Sequence, residues 1–343
     1  MIRGLCVQAG PNRPESFRVD VFEQTYAVRP KKSEAARVIG ASMALLAFGA
    51  AACGSATTVA RSTASTTTTT KATTPPLATT TTTATTAAAR HIMVVMMENH
   101  GYSEIIGQSD QPYTNSLAAE GLATNSYAFG HPSLPNYLVM VSGSNHGVTV
   151  DQSSSSFPAA KTIGDQLLAA GYTAKAYAEQ LSTGDTDHFP WTRYFPNGKT
   201  PTADATALIS DLNSASAPDF VWYTPNLIDD EHNGTVEDGD AFLSRLIPEV
   251  QSTAWYRSGG EIIVEWDESD GDNSGVNGSA GGHIPTIVVS DALKANPLRD
   301  STPVNTAGIL RSIEDAYRLP YLGSTDDPAN GNIDALLKAT PAP

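Results

Sequence analysis

His91-Ile92-Met93-Val94-Val95-Met96-Met97 is an unbroken apolar run after its first residue, and it ends at once in Glu98-Asn99. A strand with one face in water alternates apolar and polar residues. A strand without alternation is covered on both faces, the usual condition of a parallel strand inside an α/β sheet. The pattern recurs along the chain. An apolar run at 220–223 leads to Pro225-Asn226, a strand-like segment at 261–266 with Glu261 and Glu265 among its apolar residues leads to Asp267-Glu268, and an apolar run at 284–289 follows His283 directly. Helical segments are predicted at 113–121, 133–143, 163–170 (capped by Thr162), 239–251 and 306–317, with a further strand at 173–178. Strands alternating with helices predict an α/β fold: a mostly parallel central sheet with helices on both faces. In such a sheet the chemistry collects beyond the carboxyl ends of the strands, where these polar pairs are delivered.

The 343 residues do not all fit that domain. Residues 56–89 are almost entirely Thr and Ala, with too few large apolar side chains to offset ordering entropy, and are read as a disordered tether. Ahead of it, residues 1–55 hold a targeting signal: Arg29, Lys31, Lys32 and Arg37, then an apolar run at 41–52, then Ala50-Ala51-Ala52-Cys53. The run is too short to span a bilayer. The Ala-Cys junction resembles a bacterial lipoprotein cleavage box, with Ala at −3 in place of the usual Leu. The expectation is export, with a lipid anchor on Cys53 at the outer face of the cell membrane, or secretion otherwise. Residues before 28 lack signal character and are read as a start codon placed too early. Cys6 and Cys53 are the only cysteines, so the domain at 90–343 is expected to have no disulfide. The net charge of −15 argues against nucleic acid as a partner, and against anionic membrane contact other than through the anchor.

Ser133 lies in His131-Pro132-Ser133-Leu134-Pro135-Asn136-Tyr137, at a predicted helix start. A serine there is most often a plain cap. It can also be a nucleophile beside helix N–H groups that favour a bound phosphoryl group. Glu98, Asn99, Asp267 and Glu268 are hard oxygen donors at strand exits. Together they suggest a divalent-metal site, and a coordinated hydroxyl loses its proton near neutral pH. Adjacent side chains on a strand point oppositely, so both members of a pair can bind one ion only if the backbone leaves strand geometry. Asp230 and His232 are spaced for a shared cation on a looped backbone, or belong to a solvated acidic loop. His283, after two glycines, could meet metal or phosphate. His188 and His131 could neutralise phosphate oxygens or protonate a leaving group. Asp270 and Asp272 are read as a solvated loop.

These residues resemble a known family: the bacterial and fungal phosphoesterases of the alkaline phosphatase superfamily, which include metal-dependent acid phosphatases and phospholipases C. The resemblance rests on Glu98-Asn99, residues 131–137, the Pro225-to-His232 segment, Asp267-Glu268 and Gly281-Gly282-His283. It implies an alkaline-phosphatase-like sheet and a divalent metal ion held by Glu98, Asn99, Ser133, Asp267 and Glu268. It also implies a catalytic Ser133 with His188 and His232, and His131, Asn136, Asp230 and His283 around the substrate. Asp187-His188-Phe189-Pro190 lacks the Lys and Asn of the fungal pattern, and Glu231-His232-Asn233 lacks a second Asp after the His. The implied activity is hydrolysis of a small phosphomonoester through phosphoserine. The alternatives are phospholipase C or another phosphodiesterase on the same core, and an inert surface-binding lipoprotein. Phospholipases of this family often carry a further membrane-contacting domain. Here the chain ends soon after the last predicted helix, which makes the monoester the expectation.

Overall fold

A computed structural model describes residues 90–151, 154–180 and 187–337. The leader at 1–55 with its Cys53, and the tether at 56–89, lie outside the described residues. The strands are β1 (His91–Met97), β2 (Gly121–Tyr127), β3 (Ala174–Ala178), β4 (Thr202–Asp204), β5 (Phe220–Thr224), β6 (Gly260–Trp266), β7 (His283–Val289), β8 (Leu298–Asp300) and β9 (Val304–Asn305). They form one sheet in the order β4-β3-β5-β1-β6-β7-β2-β8, with β9 against β2. From β4 to β6 every pairing is parallel. β7 runs antiparallel to both β6 and β2. The expected mostly parallel α/β sheet is therefore present.

β1 shows why its run lacks polar breaks. Ile92, Val94 and Met96 face one core, with Leu134, Leu138, Ile309 and Leu310 of the helices Ser133–Ser142 and Thr306–Tyr317. Met93, Val95 and Met97 face the other, with Leu243 and Ile247 of the helix Val236–Gln251. All six β1 side chains are fully buried, each worth on the order of 1.5–3 kcal/mol of transfer free energy. The Thr162 cap is present: its side chain accepts from Asp165 N–H, and Asp165 bonds back.

The predicted 113–121 helix is too long. The helix is Pro112–Ala118, and Gly121 opens β2. Gly-Leu-Ala-Thr-Asn-Ser-Tyr has little intrinsic strand preference. It is a strand because β7 and β8 pair with it on its two sides, so tertiary pairing overrides propensity. A Cβ on Gly121 would lie 2.3 Å from the Val288 carbonyl oxygen.

Candidate active site

The central strands β5, β1 and β6 are neighbours and deliver their polar exits side by side. Glu98 directly follows β1, and its N–H donates to the Asp230 carbonyl at 2.8 Å. Asn99 has φ 59°, in the left-handed region. That turn takes the backbone out of strand geometry, so neighbours that would diverge on a strand both turn to the site. Asp267 follows β6 in the same way. Its N–H donates to the Met97 carbonyl at 3.0 Å, and its Oδ1 accepts from Asn99 N–H at 3.1 Å.

Ser133 heads its helix at the centre of this group. Its Oγ lies 3.1 Å from Glu98 Oε2, 3.4 Å from Asn99 Oδ1 and 3.2 Å from Glu268 Oε1. Glu98 points two ways: Oε2 to Ser133, and Oε1 to the Tyr137 hydroxyl and to His188 Nε2 at 3.4 Å. Ligand atoms of Glu98, His188 and His232 all lie within 4.8 Å of one another, and the His188 and His232 rings are 5.1 Å apart. Buried Asp230 accepts His232 N–H on Oδ1 at 2.8 Å, across Glu231 at φ 82°.

This is an environment that disfavours its own negative charge. Burial first, then Asp267, pushes the Glu98 carboxyl well above its ordinary range. Burial also raises Asp267, against the lowering by Asn99 N–H. Burial and then Asp267 push Glu268 up to about 7. Glu98 and Glu268 lie at ion-pair distance from His188 and His131, which carry positive charge only when protonated. Asp267 Oδ2 is buried without a hydrogen-bond partner there, which in an apolar setting costs about 1–3 kcal/mol. One hydroxyl proton on Ser133 cannot serve three facing acceptors. Hard oxygens, an orphaned carboxylate oxygen and mutual repulsion are consistent with a divalent cation, and Glu98, His188 and His232 lie close enough together to hold one.

Three residues expected around the substrate bond to protein groups. Both ring nitrogens of His131 are engaged: Nδ1 with Glu268, and Nε2 with the Asp272 carbonyl at 2.8 Å. Neither nitrogen is left to meet a phosphate. Asn136 is fully buried and holds its own approach loop. Its Nδ2 donates to the Gly130 and Pro132 carbonyls, and its Oδ1 accepts from Gly130 N–H. The His283 ring stacks on Tyr102 at 4.3 Å, with Nε2 3.1 Å from the Thr124 carbonyl. It lines a neighbouring cavity of about 430 Å³ with Tyr102, Glu104, Asp270 and Asp272. The helix start is also less open to an anion than expected: Leu134 N–H donates to Asp151 at 3.1 Å, and Pro135 has no N–H.

Two residues not counted among the site candidates matter here. Tyr137 stands one helical turn after Ser133, on the same face, and its hydroxyl binds Glu98. That spacing was visible in the sequence. Asp272 had no such signal. Within a largely exposed loop it also serves as scaffold: its carboxylate accepts from His283 N–H and from Ser274, which holds its pKa low, and its carbonyl meets His131.

The chain is 30% identical over 241 residues to the "Phosphatidylinositol-3-phosphatase" of Mycobacterium tuberculosis, covering 67% of this chain and 77% of that one. It is 27% identical over 263 residues to an acid phosphatase of Aspergillus fumigatus, covering 69% of this chain but only 56% of the longer fungal protein. In fold it is similar to the lipoteichoic acid synthase LtaP of Listeria monocytogenes. The TM-score is 0.50 at 12% identity, over 73% of this chain and 76% of that one. The description of the Phosphoesterase family matches residues 108–320, a stretch that runs from before Ser133 to beyond His283. The chain thus belongs to the Phosphoesterase family, and its chemistry is hydrolysis at phosphoric ester bonds.

Proposed function

We propose that this protein is an exported, divalent-metal-dependent phosphomonoesterase of acid phosphatase type that works through a phosphoserine on Ser133. The observation that carries the reading is the convergence of Glu98, Asn99 and Glu268 oxygens on one buried hydroxyl, at 3.1, 3.4 and 3.2 Å. A divalent cation bound there would lower the hydroxyl pKa and offset charge on the phosphoryl oxygens. Ser133 Oγ bonds to phosphorus as the bond from phosphorus to the leaving oxygen breaks, and the hydroxyl proton passes to a facing carboxylate. His188 and His232, beside Glu98, hold phosphoryl oxygens, and one of them protonates the leaving oxygen. Asp230, a buried carboxyl, suits cation-holding better than phosphate contact. Water then attacks phosphorus, the Oγ–P bond breaks, and phosphate and free Ser133 result.

The names of the mycobacterial and fungal relatives, both phosphatases, favour a monoester over a diester. Export rests on the basic stretch, apolar run and Cys53 of the leader. Among the described residues no helix is long and apolar enough to cross a membrane.

The test is p-nitrophenyl phosphate hydrolysis by the protein and by Ser133→Ala, with Mg²⁺, Mn²⁺, Ca²⁺, Zn²⁺ or Fe²⁺ supplied in turn. The expected outcome is activity that falls by about 10³-fold or more in the variant. A folded parent that is inactive with every metal sinks the monoesterase reading and moves the search to phosphodiesters and phospholipids.

A further inference from the structure

His131 precedes the Ser133 segment and was expected to touch substrate, yet its ring is fully occupied by protein. Nε2 is 2.8 Å from the Asp272 carbonyl oxygen. A carbonyl can only accept, so Nε2 carries a hydrogen. That assignment fixes the ring plane and aims Nδ1 at Glu268 Oε2, where the two atoms are in close contact. The other oxygen of the same carboxylate, Oε1, is the one 3.2 Å from Ser133 Oγ. The anchor itself is rigid. Asp272 Oδ1 accepts Ser274 N–H at 2.8 Å, and Oδ2 accepts His283 N–H at 2.9 Å and the Ser274 hydroxyl at 2.7 Å. The line therefore runs from a tied loop, through one imidazole, to one carboxylate, and from there to the nucleophile.

We propose that His131 is a positioning residue for Glu268. It engages Oε2 and so leaves Oε1 facing Ser133, where it would be available to a bound cation. This rests on the metal-dependent reading above. Without the imidazole, Glu268 is free to rotate or to bind through both oxygens, and the hydroxyl loses its fixed neighbour. Partners that orient a metal-binding side chain typically account for 10–100-fold in metal affinity. The arrangement also explains why a histidine beside the nucleophile leaves no nitrogen for phosphate.

The experiment is direct Mn²⁺ titration of the metal-stripped protein by calorimetry, for the parent, His131→Ala and His131→Asn. Each is checked for folding by circular dichroism, and each is assayed for kcat and KM. His131→Asn is the conservative variant, because its amide nitrogen falls near the position of Nδ1. The expected result is a 10–100-fold weaker Mn²⁺ Kd in His131→Ala with substantial recovery in His131→Asn. The loss in kcat should follow metal occupancy, with KM within about twofold of the parent once Mn²⁺ is saturating. An unchanged Mn²⁺ Kd with a raised KM would make His131 a substrate ligand and overturn the proposal. Failure of the Asn variant to recover affinity would overturn it as well. The ¹⁵N signal of His131 in the folded parent gives an answer that depends neither on metal nor on a variant's stability. A protonated Nε2 bonded across to Asp272 is expected, and a bare Nε2 rejects the arrangement. A parent that binds no Mn²⁺ overturns the metal reading itself, and the imidazole signal then decides the geometry alone.

Discussion

Tyr137 acts on the site through a single hydroxyl. Its ring is buried against His188, at 5.4 Å between centroids, and its O–H donates to Glu98 Oε1. Tyr137→Phe keeps the ring and removes that donor. Glu98 is then left less firmly aimed, and Mn²⁺ affinity should fall about tenfold or more while circular dichroism stays that of the parent. A Kd within twofold of the parent would reduce Tyr137 to packing. At this scale much of the site was legible. Ser133, Glu98, Asn99, Asp267 and Glu268 each stand where a strand or loop meets a helix or an exit, and the structure brings them together. The histidines were not legible in the same way. His131 and His283 sit in segments that would read identically whether the ring faced a ligand or a carbonyl. Only the fold decides that His131 meets Asp272, and that His283 stacks on Tyr102 instead of reaching Ser133.

Helices and strands were legible in proportion to how much of their cause is local. Thr162 and Asp165 form a reciprocal cap within four residues, and the helix beside them was foreseen nearly to its ends. β2 depends on partners more than a hundred residues away and could not be foreseen from seven weakly strand-forming residues. The Ser133 helix carries a useful test at its other end. Gly143 closes it at φ 68°, and a Cβ there would lie 2.1 Å from the Leu322 carbonyl oxygen. Gly143→Ala therefore meets both a left-handed backbone and an immovable neighbour. It should destabilise the protein by more than about 1 kcal/mol, read as a lowered denaturant midpoint. A neutral effect would mean that the 322–325 turn moves away without penalty.

For the whole molecule, the buried carboxyls set how stability responds to pH. Burial pushes Glu314 up to about 7, with its carboxylate accepting from Leu322 N–H and the Thr325 hydroxyl. Glu98, Asp267 and Glu268 are raised as well. A carboxyl with a folded pKa above its unfolded value holds its proton more tightly when folded. The folded state then binds more protons than the unfolded state between the two values. In the metal-free protein these carboxyls contribute most to stability below about pH 4.3, the unfolded glutamate value, and that contribution is lost as pH rises to about 7. Thermal unfolding in EDTA between pH 4 and 8 checks this. Glu314→Gln should flatten part of the slope, and a slope of the opposite sign would contradict the burial argument. Adding Mn²⁺ near neutral pH should raise Tm, because a cation bound to the folded state alone stabilises it by mass action. No gain in Tm at saturating Mn²⁺ would count against the metal site.

The contact between Ser133 and Glu268 closes over 135 residues of chain, and β6 must slot beside β1 before that contact exists. Pairings of such long range form late and slowly. A chain halted before β6 holds Ser133, Glu98 and Asn99 but lacks Asp267 and Glu268, two of the five proposed cation holders. On the proposed mechanism, catalytic competence thus requires β6 in place. On the export proposed above, a chain that completes this pairing only after leaving the cell would not act on the phosphate esters inside it.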